Sequence, residues 1–392
     1  MFKLKNQIQN YAWGSKTSIS ELFGIENPTN EPQAEIWMGA HSGGCSRNVE
    51  NDDLLSDIIE LNKSDVLGSY TENCFGELPY LFKVLAAHTP LSIQVHPNRW
   101  KAQLGFVREN EQGIELSDPI RNYKDPNHKP ELVYALTPYK AMNGFRPIEQ
   151  IICLFDEIAI DELKEEVSLL RQEPNSTGLE RFFNSVMMLS EKRKSKMLTQ
   201  LEEAYHKPVT GIVREAVEYS QAFKVYYKGD IGLLSPFIFN VVELAPGEAM
   251  FLFAETPHAY IQGTALEVMA SSDNVLRAGL TQKHIDIPEL IDNVMFKSMA
   301  PENLKMQPII KEGRYEYPIP VDDFGFDILY AEEYNKEQYI RSAEILFCID
   351  DSVVVSSLDK AIELSPGESI FVPYYTRKYT YRGKGRIARV YN

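Results

Sequence analysis

The chain has only four cysteines, Cys45, Cys74, Cys153 and Cys348, and no two of them form a CxxC pair. Scattered thiols of this kind frame no disulfide scaffold and fit a reducing compartment. Long apolar runs are also missing: no stretch approaches the ~18 consecutive apolar residues that a spanning helix needs. The opening Met1-Phe2-Lys3-Leu4-Lys5-Asn6 lacks the apolar core of a secretory leader. These absences lead us to expect a cytoplasmic protein with no membrane partner. Positive charge is scarce as well. Forty basic side chains face 56 acidic ones, for a net charge of −16, and no Lys/Arg stripe reverses the balance locally. Such a field repels phosphate backbones, so no nucleic-acid partner is expected. An anionic small substrate would need cations gathered into one pocket.

What is present suits a globular protein. With 392 residues, 44% of them hydrophobic and 24% charged, the chain can bury a large core spread over two or three domains. Residues 1–147 read as short strands and loops, among them Tyr11-Ala12-Trp13-Gly14 and the alternating Leu91-Ser92-Ile93-Gln94-Val95-His96. Helices are expected over about Asp53–Leu61 and about Arg99–Glu109, the second following Pro97. From about Ile148 to Phe223 the pattern turns helical. Phe182, Phe183, Val186, Met187 and Leu189 form one apolar face beside the charged run Glu191-Lys192-Arg193-Lys194, a solvated face.

Strand patterns return near Pro236, and here the sequence repeats itself. Glu243-Leu244-Ala245-Pro246-Gly247-Glu248-Ala249-Met250-Phe251 is echoed 120 residues later by Glu363-Leu364-Ser365-Pro366-Gly367-Glu368-Ser369-Ile370-Phe371. Each copy reads as a strand, a Pro-Gly turn and a second strand, the corner of a hairpin in an antiparallel barrel. Two related barrels follow. The expected fold is mainly β: two cupin-like (jelly-roll) barrels plus an all-α domain. Residues 1–147 and 236–295 form the first barrel, 148–235 a helical insertion, and 296–392 a C-terminal barrel. Lys378 stands where the first copy has His258, so a metal held by His258 would belong to the first barrel alone.

The candidate chemistry lies on strand faces. A side-chain period of two puts Ser92, Gln94 and His96 on one face and Leu91, Ile93 and Val95 on the other. His128-Lys129-Pro130-Glu131 precedes a strand, with Lys129 and Glu131 on a shared face. His258 and Tyr260 share a face of a later strand. Glu267, Asp273 and Arg277 are charges in a segment otherwise too apolar for a surface loop, and charges in such a setting need partners or a task. Two imidazoles, one carboxylate and one amide oxygen make a borderline site suited to zinc, with room for substrate oxygens.

Several long motifs extend this reading. Gln94-Val95-His96-Pro97, Asn127-His128-Lys129-Pro130-Glu131, Asn143-Gly144-Phe145-Arg146-Pro147, Pro257-His258-Ala259-Tyr260 and Ser272-Asp273-Asn274-Val275-Leu276-Arg277-Ala278-Gly279-Leu280-Thr281 stand in this order. Together with Tyr11-Ala12-Trp13-Gly14 and the ending Arg386–Asn392, they resemble the bacterial branch of the type I mannose-6-phosphate isomerases over essentially the whole chain. Gln282-Lys283 departs from the Pro-Lys of many members. The resemblance implies one zinc per subunit, held by Gln94, His96, Glu131 and His258, and a catalytic Arg277. It also implies a monomer acting on a small sugar phosphate, exchanging mannose 6-phosphate and fructose 6-phosphate through an enediol. Lys129, Glu267 and Asp273 are candidates for moving the proton, each with the alternative of orienting a metal ligand. His128 would help to open the sugar ring. Lys283 and Arg277 would meet the phosphate with Ser92, and Tyr260 and Trp13 would touch substrate. The competing readings are a metal-loaded sugar-binding cupin without turnover and an iron cupin oxygenase. The oxygenase usually wants two histidines and one carboxylate, so a fourth ligand at Gln94 argues against it.

Overall fold

The structure is a computed structural model that describes residues 1–392. Its strands form antiparallel sheets of eight, ten and four strands, and a block of helices interrupts them between residues 148 and 238. No helix is long and apolar enough to cross a membrane. The sheets stay open, none closing on itself through hydrogen bonds, so closed barrels do not describe them.

The ten-stranded sheet is organised around one long strand, His258–Ala270. Its first half pairs with Ile93–Val95 and Tyr139–Phe145. Its second half pairs with Tyr80–Ala87 and Glu131–Ala135. A single strand thus runs through two layers and carries His258, Tyr260 and Glu267 past the space between them. The expected helices occur at Leu55–Leu61 and Arg99–Glu111. The second starts behind Asn98, whose side chain accepts from the Lys101 N–H as an N-cap.

The helical block holds Ile148–Ile158, Lys164–Gln172, Ser176–Met187, Glu191–Ala204 and Gly211–Lys224. Its apolar faces converge as the spacing predicts: Phe155, Phe182, Phe183, Val186, Met197, Leu201 and Phe223 are all buried. Each such side chain contributes about 1.5–3 kcal/mol relative to exposure. The same core includes Ile93, Val95, Leu276, Ala278 and Leu280. The helices therefore pack on the back of the strands whose front carries Gln94 and Arg277.

Two expectations need correction. The strands flanking each Pro-Gly turn do not form a hairpin. Phe239–Leu244 pairs with Tyr139–Phe145, whereas Ala249–Leu252 pairs with Glu131–Ala135. In the second copy Ala361–Leu364 pairs with Val353–Ser356, and Ser369–Val372 pairs with Glu344–Cys348. Each turn is a crossing between neighbouring sets of strands, with Gly247 and Gly367 at φ 93° and 83°, a region that favours glycine. The second correction concerns Phe2–Lys5, expected in the first barrel. This strand pairs with Ser369–Val372 and extends the eight-stranded sheet of the C-terminal part. Its alternating Phe2 and Leu4 are buried there, and the Phe2 and Phe371 rings lie 5.6 Å apart. Sequence order alone does not reveal such an edge exchange.

Candidate metal centre and adjoining cavity

His96 directly follows the strand Ile93–Val95, Glu131 and His258 each open a strand, and the three meet in the buried interior. His96 Nε2 lies 3.3 Å from Glu131 Oε1, and His258 Nε2 lies 3.4 Å from Glu131 Oε2. The far nitrogens fix the ring orientations. His96 Nδ1 is 2.7 Å from the Asn274 carbonyl oxygen, and His258 Nδ1 is 2.9 Å from that of Thr256. With Nδ1–H donated to a carbonyl, each Nε2 keeps its lone pair facing inward, the arrangement a metal ligand requires. His96 Nε2 is a buried polar atom without a hydrogen-bond partner. Such an orphan is costly unless a cation completes it, so the donor set fits a zinc-type ion.

The electrostatics agree. Burial, reinforced by Lys129, lowers the His96 pKa to about 4, which keeps the imidazole neutral. Burial alone would raise Glu131, but Lys129, His96 and His258 outweigh it and hold the carboxyl well below its ordinary range. Lys129 Nζ sits 3.1 Å from Glu131 Oε1.

Gln94, the expected fourth ligand, pairs in register with both His258 and Arg277. It borders a cavity of about 830 Å³ whose walls also include Trp13, Ser92, Arg277 and Lys283. The structure thus gathers five of the expected site residues around one opening. Neither Arg277 nor Lys283 has a carboxylate partner, although lysine and arginine pair with carboxylates across the rest of the molecule. Burial lowers both pKa values, and the two cations repel each other across the cavity in the case of Lys283. Two unneutralised cations beside a half-buried wall are a receptor for an anion.

The remaining expected residues stand elsewhere. The Tyr260 hydroxyl lies 2.9 Å from Glu131 Oε2 and 2.7 Å from Glu267 Oε1, bridging two buried carboxylates rather than facing the cavity. Asp273 is half exposed and pairs with His41 at 3.5 Å, a contact that lowers its pKa. His128 Nε2 is 2.9 Å from Asp323 Oδ2 and 3.0 Å from Arg99, reaching towards the C-terminal part.

Sequence reasoning missed two groups. Lys83 Nζ lies 3.0 Å from Glu267 and 3.6 Å from Glu35, and Trp37 Nε1 donates to Glu35 at 2.7 Å. Burial opposes the charge on Lys83, but Glu267 and Glu35 outweigh it and raise its pKa. A lone lysine inside the apolar strand Tyr80–Ala87 was the available signal, since such a charge needs a partner. Asn274 was the second. Fully buried, it accepts from the Lys124 N–H and donates to the Asp125 and Asn127 carbonyls while its own carbonyl orients His96.

The second β unit repeats the first with a different cation. Glu131 faces Leu252 across the sheet, and Glu344 faces Val372, the residue 120 positions after Leu252. Glu344 is buried like Glu131, yet its oxygens take two hydrogen bonds from Arg389, at 2.9 and 2.7 Å. Arg389 also reaches Asp327 at 2.6 Å. No histidine occurs after His284.

Comparison with known proteins adds an independent line. The family pattern "Phosphomannose isomerase type I, catalytic domain" matches residues 1–148, and "Mannose-6-phosphate isomerase, cupin domain" matches 314–392. The mannose-6-phosphate isomerase of Escherichia coli K12 is 47% identical over 395 residues, covering all of both chains. That of Salmonella typhimurium is 48% identical over 397 residues, again covering all of both. A solved mannose 6-phosphate isomerase described as holo and zinc-bound superposes with a TM-score of 0.94 at 47% identity. It covers 100% of this chain and 98% of its own.

Proposed function

Because the chain belongs to the type I phosphomannose isomerase family, we propose that it interconverts mannose 6-phosphate and fructose 6-phosphate with one zinc per chain. The observation that carries this reading is a buried His–Glu–His set beside a cavity whose two cations lack carboxylate partners. His96, Glu131 and His258 would hold the zinc, with Gln94 as the fourth ligand. Bound zinc supplies a Lewis acid next to the carbon–oxygen bonds being rearranged, worth several kcal/mol at the transition state.

The protein's own residues do the rest. Lys283, with Ser92, takes the phosphate, and Trp13 walls the sugar. The open-chain aldose must lose its C2 proton and gain one at C1 while a hydroxyl proton passes from O2 to O1, through an enediol. Negative charge develops on those oxygens, and Arg277, permanently cationic and without a carboxylate partner, would stabilise it. Lys129, beside Glu131, is our choice for the group that moves the carbon-bound proton. Glu267, whose carboxylate is paired with Lys83 and accepts from the Tyr260 hydroxyl, is the alternative candidate for moving that proton. His128 would assist ring opening, and Asp273, through His41, would act from the rim. Two cupin-like jelly rolls and a helical insertion remain our reading of the architecture, with a monomeric cytoplasmic enzyme as its working form.

The test is formation of fructose 6-phosphate from mannose 6-phosphate, with unphosphorylated mannose as the control. Turnover of the phosphate ester alone supports the assignment. Binding without turnover in the fully metallated protein would favour the sugar-binding cupin.

A further inference from the structure

The last long helix of the helical block, Gly211–Lys224, runs into a short connection that touches both lips of the cavity. On one side the Tyr227 hydroxyl donates to the Pro90 carbonyl at 2.6 Å, next to the segment that carries Ser92 and Gln94. On the other, Asp230 binds the turn that leads from Arg277 to Lys283. Its Oδ1 accepts from the Leu280 N–H at 2.8 Å and its Oδ2 from the Thr281 N–H at 3.2 Å. The same Oδ1 accepts from the Gly232 N–H at 2.6 Å, which ties the carboxylate to the helical block.

The turn held in this way is strained. Leu280 has φ +50°, a left-handed conformation that costs an ordinary L-residue about 1–2 kcal/mol. Gly279, at φ +138°, passes so close to Gly232 that an added Cβ would come within 2.8 Å of the Gly232 Cα. The Leu280 side chain is buried in the helical core, whereas Gln282 and Lys283 just beyond it are exposed. Without a partner for its N–H groups this turn would relax, and Lys283 would lose its place opposite Arg277.

We propose that Asp230, with Tyr227, is a positioning residue through which the helical insertion sets the geometry of the anion-binding lip of the cavity. The inference rests on the reading of that lip as the phosphate site. It gives the insertion a task in substrate affinity. Because Asp230 contacts only backbone N–H groups, its loss should act on binding of the phosphate group and spare the metal centre on the strands behind.

The experiment compares Asp230→Ala, Asp230→Asn and Tyr227→Phe in the zinc-loaded full-length protein. It reads KM and kcat for mannose 6-phosphate, zinc content, and direct calorimetric binding of inorganic phosphate. Asp230→Ala should weaken phosphate binding and raise KM by about tenfold, since backbone donors lose a charged acceptor. Its kcat should stay within about threefold and its zinc content unchanged. Asp230→Asn, which keeps a carbonyl acceptor, should recover most of the loss, and Tyr227→Phe should raise KM by a few-fold. Unchanged phosphate affinity in Asp230→Ala overturns the inference. So does an equal fall in kcat, zinc content and affinity in all three variants, because that pattern marks general damage. If the unmodified protein binds phosphate without turning over the sugar, the isomerase reading fails and the inference stands. If it turns over the sugar phosphate but binds no phosphate, the inference fails and the isomerase reading stands.

Discussion

Replacing Lys83 by methionine removes a charge while nearly keeping the side-chain length, so the cavity term is small. The ammonium lies 3.0 Å from Glu267 and 3.6 Å from Glu35, with all three groups buried. At an effective dielectric of about 20, each contact is worth about 5 kcal/mol before desolvation. Desolvation of the ammonium offsets much of this, and deleting one partner of a buried pair costs about 3–5 kcal/mol net. The zinc-loaded variant should therefore show its first urea transition at a midpoint lower by about 1 M. The deficit should also depend on pH. Lys83 has a raised pKa, so its stabilisation in the unmodified protein is fully present below the ordinary lysine range and flat between about pH 5 and 9. In the variant Glu267, already raised by burial, loses its main counter-ion and must either stay ionised at a cost or take a proton. Acidification supplies that proton, so the deficit should shrink as pH falls from neutral towards the ordinary carboxylate range. A deficit below about 1 kcal/mol, or one that stays constant with pH, would refute the counter-ion role.

Three further outcomes follow from the same geometry. Lys283→Ala should raise KM for mannose 6-phosphate by about 10–100-fold with kcat little changed, because an unpaired cation that holds a phosphate is worth about 1.5–3 kcal/mol; unchanged KM in steady-state assays removes Lys283 from the phosphate site. In the chelated protein the His96 ring should remain neutral by nitrogen NMR until the pH nears about 4. Between 6.5 and about 4 the unfolded chain binds that proton and the folded one does not, so stability should fall as pH drops through this window; a ring that titrates in the ordinary histidine range contradicts this. Arg389→Met strands Glu344 and Asp327 and should destabilise the C-terminal sheet by about 3–5 kcal/mol in thermal unfolding while zinc content is unaffected; loss of zinc would mean the two units are not independent.

Much of the site was legible because strand periodicity alone puts Gln94 with His96, and His258 with Tyr260, on shared faces. The three candidate ligands His96, Glu131 and His258 do meet, and Ser92 and Gln94 line one cavity with Trp13, Arg277 and Lys283, which the family resemblance rather than periodicity had singled out. The helical block was legible for the same reason, through the spacing of Phe182, Phe183, Val186 and Met187. What escaped depended on pairings between distant segments. Phe2–Lys5 joins a strand more than 360 residues away, and the Pro-Gly turns cross between strands that sequence proximity suggested would pair. Lys83 and Asn274 act through long-range contacts with Glu267, Glu35 and His96, and nothing local to either residue names those partners. Tyr260 was placed on the correct face, yet which groups it would meet followed only from the register of Glu131 against Met269.

The most direct test of the account is turnover of mannose 6-phosphate before and after chelation, with zinc then added back in measured steps. Activity should vanish on chelation and return in proportion to zinc, reaching its full value at about one ion per chain, as the single His–Glu–His set requires. Full activity in a protein verified to be free of metal, or restoration that needs two ions per chain, would contradict it.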